Sequence, residues 1–145
     1  MRDRIILGAM ALAAILVPIG HCLAAGAVAV GVPSDVAKQG VSVGTVANYK
    51  TMDEAKSQAV ENCKLNGSAI SKSLCKVVVT FQNKCVATTM DPRAGTPGYG
   101  WAIADTSQAA GKKAMANCRD SDGPALKQGC QLAGTHPILC DGSAK

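Results

Sequence analysis

Aromatic side chains are scarce in this chain, whose 145 residues include one tryptophan, two tyrosines and one phenylalanine. Hydrophobic residues nevertheless make up 48% of the sequence, and alanine and valine are the commonest of them. Alanine and valine bury less apolar area than phenylalanine or leucine, so a core built from them gains less from the hydrophobic effect. We therefore expect a thin core that needs a further source of stability.

The first 25 residues have the layout of a secretory signal peptide. Arg2 and Arg4 precede the apolar run IILGAMALAAILVPI, and small residues follow it. Cleavage after Ala25 fits the preference for small residues at the cleavage site, and cleavage after Ala24 is a close alternative. The sequence therefore predicts an exported protein, secreted or periplasmic, with no membrane attachment once the signal peptide is removed.

The alternatives to cleavage are a membrane anchor and a lipid anchor. An uncleaved membrane anchor would use the apolar residues that continue beyond Gly26, but His21 and the alternating pattern after Gly26 disfavour it. Lipidation of Cys22 would need a small residue immediately before the cysteine, where His21 stands.

Six cysteines follow the predicted signal peptide, an even number in a chain predicted to be exported. They form two triplets with spacings of 12 and then 10 residues, and each cysteine recurs after 55 residues. An even cysteine count in an oxidising compartment predicts three disulfides. Zinc sites use short C-x2-C pairs instead, so we predict no metal site. The six residues are Cys63, Cys75, Cys85, Cys118, Cys130 and Cys140.

The chain is an internal duplication, with halves at about 26–84 and 85–145. Other residues match at the same offset of 55, and Val46-Ala47 falls on Trp101-Ala102 in this alignment. The matching pairs are Thr51 and Thr106, Ala55 and Ala110, Ala59 and Ala114, and Asn62 and Asn117.

Each half is predicted to be a strand-strand-helix-strand unit. In the first half, β-branched runs predict strands at 27–32, 41–47 and 75–81, and a capping box from Thr51 to Glu54 begins a helix that ends near Leu65. The second half predicts a strand at 99–104, a helix at 106–119 and a weak final strand that Gly134 and Pro137 interrupt. The fold class is therefore α+β: one disulfide-bridged domain with helices packed on a mainly antiparallel sheet.

Six cysteines allow 15 disulfide connectivities, and the repeat narrows them because related halves should form equivalent bonds. Cys75 and Cys85 lie at the two ends of a predicted extended segment, too far apart to bond. We therefore favour one bond inside each half, Cys63–Cys75 and Cys118–Cys130, and Cys85–Cys140 as a bond between the halves.

The segments AVAVG, YKTMDEAKSQAVENC, CKVVVTFQNKCVA and GTPGYGWAIADTSQAAGKKAMANC, with a closing cysteine, resemble a bacterial family, the domain of unknown function numbered 4189. The resemblance covers nearly the whole chain after the signal peptide. It implies an exported, cysteine-bridged α+β domain, and it implies no reaction.

The mature sequence offers few groups for chemistry. His136 is its only histidine, and its place in GTHPIL predicts an ordinary loop residue rather than a catalytic base. The glycines of GTPGYG at 95–100 lack the G-x-G-x-x-G spacing and precede a predicted strand, so we expect a turn rather than a phosphate site. We predict no catalytic residue and no cofactor.

Thirteen basic and nine acidic residues follow the signal peptide, a net charge of +4. This mild excess, with a single basic pair in GKKA, does not predict nucleic-acid binding.

Tyr99 and Trp101 are the candidate partner contacts, because exposed aromatic residues often anchor interfaces. The alternative for Trp101, aligned with Val46, is that it is the largest core residue. The sequence thus predicts an exported non-catalytic domain that binds a protein or another component of the cell envelope or outside the cell. The alternatives are an inhibitor or immunity protein against an envelope hydrolase, and a secreted enzyme of an unrecognised type.

Overall fold

A computed structural model of the chain describes residues 24–122 and 129–145. The predicted signal peptide, except for Ala24 and Ala25, lies outside the described residues, and so does Cys22. No helix within the described ranges is both long enough and apolar enough to cross a membrane.

The first half forms an antiparallel sheet of three strands, called here the first sheet. Its central strand β1 pairs with β2 on one side and with β3 on the other. The long helix α2 follows β2, and two short helices lie in the connections. The elements are β1 (Ala25–Gly31), α1 (Val36–Gln39), β2 (Ser42–Tyr49), α2 (Met52–Leu65), α3 (Ala69–Ser73) and β3 (Lys76–Phe81).

The second half repeats this arrangement in the second sheet. Its central strand β4 pairs with β5 on one side and with two short strands, β6 and β7, on the other. The predicted weakness of the last strand is seen as a break between β6 and β7, which contains Gly134 and Pro137. The elements are β4 (Cys85–Met90), β5 (Tyr99–Ala104), α4 (Ser107–Asp122), β6 (Gln131–Leu132) and β7 (Ile138–Cys140).

Local sequence explains where α2 begins and how closely it packs. The Glu54 backbone N–H donates to Thr51 Oγ1 over 3.2 Å, and the Thr51 N–H donates to Glu54 Oε2 over 3.3 Å, so the predicted capping box is present. Ala59 and Cys63 are buried on the face toward the sheet. A Cβ atom on Gly44 of β2 would lie 2.1 Å from the Ala59 carbonyl oxygen, so close helix–sheet packing requires glycine there.

The two sheets face each other, with one helix on each outer side. β1 shows the pattern: Ala27 and Ala29 belong to a core cluster with α2, whereas Val28 and Val30 belong to a second cluster with Val86 of β4. Successive side chains of a strand point to opposite faces, so β1 is buried on both faces. The prediction of an α+β fold with helices on antiparallel strands is confirmed, and the face-to-face packing of two sheets goes beyond it.

The alignment of β2 with β5 in the sequence was wrong by one residue. Gly44 lies against α2 as Gly100 lies against α4, at equivalent helix positions. Trp101 therefore corresponds to Thr45 rather than to Val46, and a shift of one residue moves a side chain to the other face. Val46 packs toward α2, whereas Trp101 is half-buried against the inter-sheet cluster.

The first half contains one extra residue in this stretch, which explains the misalignment. Thr51 follows Gly44 by seven positions, and Thr106 follows Gly100 by six. The β1–β2 register is interrupted next to Asn48, whose φ of 64° is unusual for a residue other than glycine. This bulge shifts the register.

The three disulfides join the pairs that the repeat favours: Cys63–Cys75, Cys118–Cys130 and Cys85–Cys140. The placement of the third bond between the halves was wrong. Cys85 begins β4 and stands opposite Cys140 of β7, so this bond lies inside the second sheet. The reason is that Cys85 opens the central strand of the second half instead of closing the first.

Asp141 connects the two halves instead. Its side chain is fully buried, and its carboxylate accepts the backbone N–H of Asn48 over 2.7 Å and that of Asn83 over 3.2 Å. Asn48 lies in the bulge of β2, and Asn83 lies in the turn from β3 to β4. One carboxylate thus fixes the end of an edge strand and the link between the two sheets.

Candidate functional site

A cleft of about 440 Å³ lies beside β2, where both sheets and the end of α2 contribute to one surface. Its lining is mainly apolar and includes Val43 of β2 and Leu139 of β7. Two apolar residues of the lining are exposed, Leu65 to 72% and Met90 to 38%. Binding sites for small molecules and side chains have this size and character.

The scarcity of large side chains explains why the space between the sheets is not filled here. Strands β2 and β4 contribute one valine, one glycine, three threonines and one methionine to the lining, among them Val43, Thr45 and Thr88. Phe81 and Trp101, the large aromatics of the inter-sheet cluster, do not line the cleft. The small side chains that the composition predicts for the core thus leave this cleft open.

The backbone edge of β2 lies in the cleft. Val43, Gly44 and Thr45 are consecutive and all line it, although side chains of a strand alternate between its faces. Contact with consecutive residues means that the cleft extends around the strand rather than over one face. β2 pairs with β1 alone among the described strands, so its other edge is available.

Polar groups reach the cleft from α2 and from β4. The Thr88 hydroxyl donates to the Ala133 carbonyl over 2.9 Å, and the Thr89 hydroxyl donates to the Ala114 carbonyl over 2.8 Å. Asn62 Oδ1 accepts the side-chain N–H of Gln58 over 3.2 Å. The Asn62 amide N–H groups have no acceptor among the described residues, so they can donate to a bound molecule.

His136 lies in the connection between β6 and β7, as predicted, and it lines the cleft. Its side chain is exposed and has no hydrogen-bond partner among the described residues. A catalytic histidine is normally oriented by a carboxylate or a similar group, and no aspartate or glutamate of the described part of the chain lines the cleft. The absence of a catalytic site stays a prediction.

The two candidate contact residues occupy different places. Tyr99 lines the cleft at the start of β5. Trp101 is two residues further on and packs against the inter-sheet cluster, in agreement with the alternative that it is a core residue.

The GTPGYG stretch at 95–100 ends in the first two residues of β5. Gly95 and Pro97 lie in the connection from β4 to β5, and a strand follows, as the sequence predicts. Arg93 forms an ion pair with the buried side chain of Asp91 in the same connection. The charges of this loop therefore have a structural role. The described part of the chain contains no group of three histidine, cysteine, aspartate or glutamate side chains placed to hold a metal ion.

Of the residues that line the cleft, the sequence named Tyr99 alone as a candidate contact, and it missed the others, including Val43, Thr45, Asn62 and Asn66. The only signal was in the repeat, since Asn62 matches Asn117 whereas Asn66 matches Ser121. Because the bulge at Asn48 shifts the register of β2, the repeat alignment did not show which strand residues lie beside Asn62 and Asn66.

The comparisons with known proteins identify a family and no function. No curated protein and no solved structure matches the chain. The model of the domain of unknown function DUF4189 matches residues 25–136, which include β1 to β6 and both long helices. The chain therefore belongs to the DUF4189 family.

Proposed function

We propose that this chain is an exported, non-catalytic binding domain, and that a protein or another component of the envelope or the extracellular medium binds in the cleft beside β2. The cleft carries the proposal. It combines an apolar lining, exposed apolar residues at Leu65 and Met90, and a few polar groups that can orient a bound molecule.

Export is supported by two independent features. The chain forms three disulfides, which persist in oxidising compartments. Its N-terminal sequence has the basic, apolar and small-residue segments of a signal peptide. Together they favour a secreted or periplasmic location.

The lining of the cleft supports binding rather than catalysis. Among the described residues, its titratable side chains are His136 and Tyr99, and neither a carboxylate nor a lysine accompanies them there. General acid–base catalysis needs a second group that positions or complements the first. A binding role needs only the shape and the apolar surface.

A pull-down with the mature, oxidised protein from periplasm and culture medium tests the proposal. Thr45→Arg places a long charged side chain in the cleft, whereas Gln108→Arg adds the same side chain to an exposed position of α4. We expect a partner to be recovered with the wild type and with Gln108→Arg and to be lost with Thr45→Arg. Equal recovery with both variants would show that the cleft is not the binding site.

The identity of the recovered partner separates binding in general from inhibition. If the partner is an envelope hydrolase whose activity falls when this protein is added, the chain is an inhibitor. Far-ultraviolet circular dichroism and thermal melting of both variants control for folding.

A further inference from the structure

The outer edge of β5 is occupied by side chains of α4. Asn117 Nδ2 donates to the Trp101 carbonyl over 2.8 Å. Ser121 Oγ donates to the Tyr99 carbonyl over 2.7 Å and accepts the Tyr99 N–H over 2.9 Å. Three backbone groups that point away from β4 therefore have partners within the chain.

The first half contains the same strand and helix but not these bonds. The equivalence of Gly44 and Gly100 makes Val43 the counterpart of Tyr99 and Thr45 the counterpart of Trp101. The repeat makes Asn62 the counterpart of Asn117, and Asn62 is bonded to Gln58 on its own helix instead. The contacts among the described residues include no side-chain bond to the backbone of Val43 or Thr45.

The shorter length of α2 explains why the first half has no counterpart of the Ser121 hydrogen bonds. α4 continues to Asp122 and so carries Ser121 on its last turn, whereas α2 ends at Leu65. Asn66, the counterpart of Ser121, has the extended backbone of a helix cap, and its carbonyl accepts the Ser42 hydroxyl. No helical residue of the first half can take the place of Ser121.

The edge of β2 thus presents backbone N–H and C=O groups to the cleft. Exposed edge strands usually carry charged residues or proline, which prevent pairing with other chains. β2 has the sequence SVGTVANY, without either. The edge of β2 lies between the end of α2 and the second sheet. The end of α2 contributes Asn62 and Leu65 to this surface, and the second sheet contributes Met90 and Leu139.

We propose that the edge of β2 binds an extended peptide segment, which pairs with Val43 and Thr45 as an additional strand of the first sheet. This inference rests on the proposed function, because it names the chemistry of what enters the same cleft. Backbone hydrogen bonds supply the affinity in this mode, and pockets for alternate side chains supply the specificity. The apolar lining selects a peptide with uncharged apolar residues at alternate positions, and the free Asn62 amide can donate to its backbone.

A phage-displayed library of random dodecapeptides, selected on the oxidised protein, is the probe. Selected sequences are synthesised and their backbone nitrogens are methylated one at a time, which removes single N–H donors and keeps the side chains. We expect methylation at alternate positions to weaken binding by about tenfold or more, since each loses a hydrogen bond, and methylation between them to have little effect. Binding should be lost in Thr45→Arg and kept in Gln108→Arg.

Asn62→Arg is a second blocking variant, placed on the surface of α2, so that the test does not depend on a substitution in the strand. Failure to select any peptide that both blocking variants weaken would overturn the inference. Selected peptides that bind in the cleft but are sensitive to methylation at one position only would overturn strand pairing and leave the proposed cleft function standing. A pull-down partner unaffected by Thr45→Arg would overturn both.

Discussion

Replacing Asp141 by alanine should lower the free energy of unfolding by on the order of 3 kcal/mol, because two backbone N–H groups lose their buried carboxylate acceptor at once. Both donors, Asn48 and Asn83, have positive φ angles of 64° and 50°, so the carboxylate also holds two unfavourable backbone conformations in place. For a domain of this size the melting temperature should fall by roughly 10 °C.

Two further variants, Asp141→Asn and Asp105→Ala, serve as controls for Asp141→Ala. Asp141→Asn keeps one acceptor oxygen and should have a smaller effect than alanine. Asp105 is the matched exposed carboxylate: its side chain is 84% exposed, and the hydrogen bond and charge of Lys84 lower its pKa. Asp105→Ala should leave the melting temperature nearly unchanged, since exposed ion pairs contribute little. A similar melting temperature for Asp141→Ala and Asp105→Ala would contradict the role assigned to Asp141.

Replacing Cys85 and Cys140 together by serine should be the most destabilising removal of a disulfide. The bond closes 55 residues, and the chain-entropy model gives about 4 kcal/mol for such a loop, against about 3 kcal/mol for the 12-residue loop of Cys63–Cys75. Cys85 is fully buried under α4, so serine hydroxyls there add an unfavourable burial.

Loss of the Cys85–Cys140 bond should also destabilise the first half. Cys140 precedes Asp141, and its carbonyl accepts the side-chain N–H of Asn48 over 3.1 Å. Thermal melting of both double variants under oxidising conditions measures the difference. The prediction is wrong if the Cys63/Cys75 variant melts at the same temperature as the Cys85/Cys140 variant or below it.

The repeat made much of the fold predictable. Matching cysteines, a capping box and runs of β-branched residues are local signals, and they located the main strands, both long helices and the three bonded pairs. The short helices α1 and α3 escaped because they have only four and five residues and lie in turn-rich connections. Such segments have no hydrophobic periodicity to detect.

The misalignment of the two halves arose because a single inserted residue changes three-dimensional register without disturbing the cysteine spacing. The bulge at Asn48 exchanged the faces of β2 relative to β5, so Trp101 was matched with Val46 instead of Thr45. The cleft was missed for a second reason. Its edge residues belong to a strand whose hydrogen-bonding partners depend on where a helix ends, and the sequence alone locates a helix end only within a few residues.

Duplication has thus produced two similar units with one different edge. Asn117 and Ser121 bond the edge of β5 within the chain, whereas the shorter α2 leaves the corresponding edge of β2 facing a cleft. One half then serves as a closed structural unit, and the other is proposed as the binding unit.

Residue-resolved amide hydrogen exchange in the free protein tests this difference most directly. The amide of Tyr99 donates to Ser121, and the equivalent amide of Val43 has no such acceptor within residues 24–122 and 129–145. Unbonded edge amides exchange without a protecting opening step, so the Val43 amide should exchange at least about tenfold faster than that of Tyr99. Ser121→Ala should remove most of that difference by accelerating Tyr99 alone. Equal protection of Val43 and Tyr99 in the wild type would contradict the account, because it would mean that the edge of β2 is already occupied.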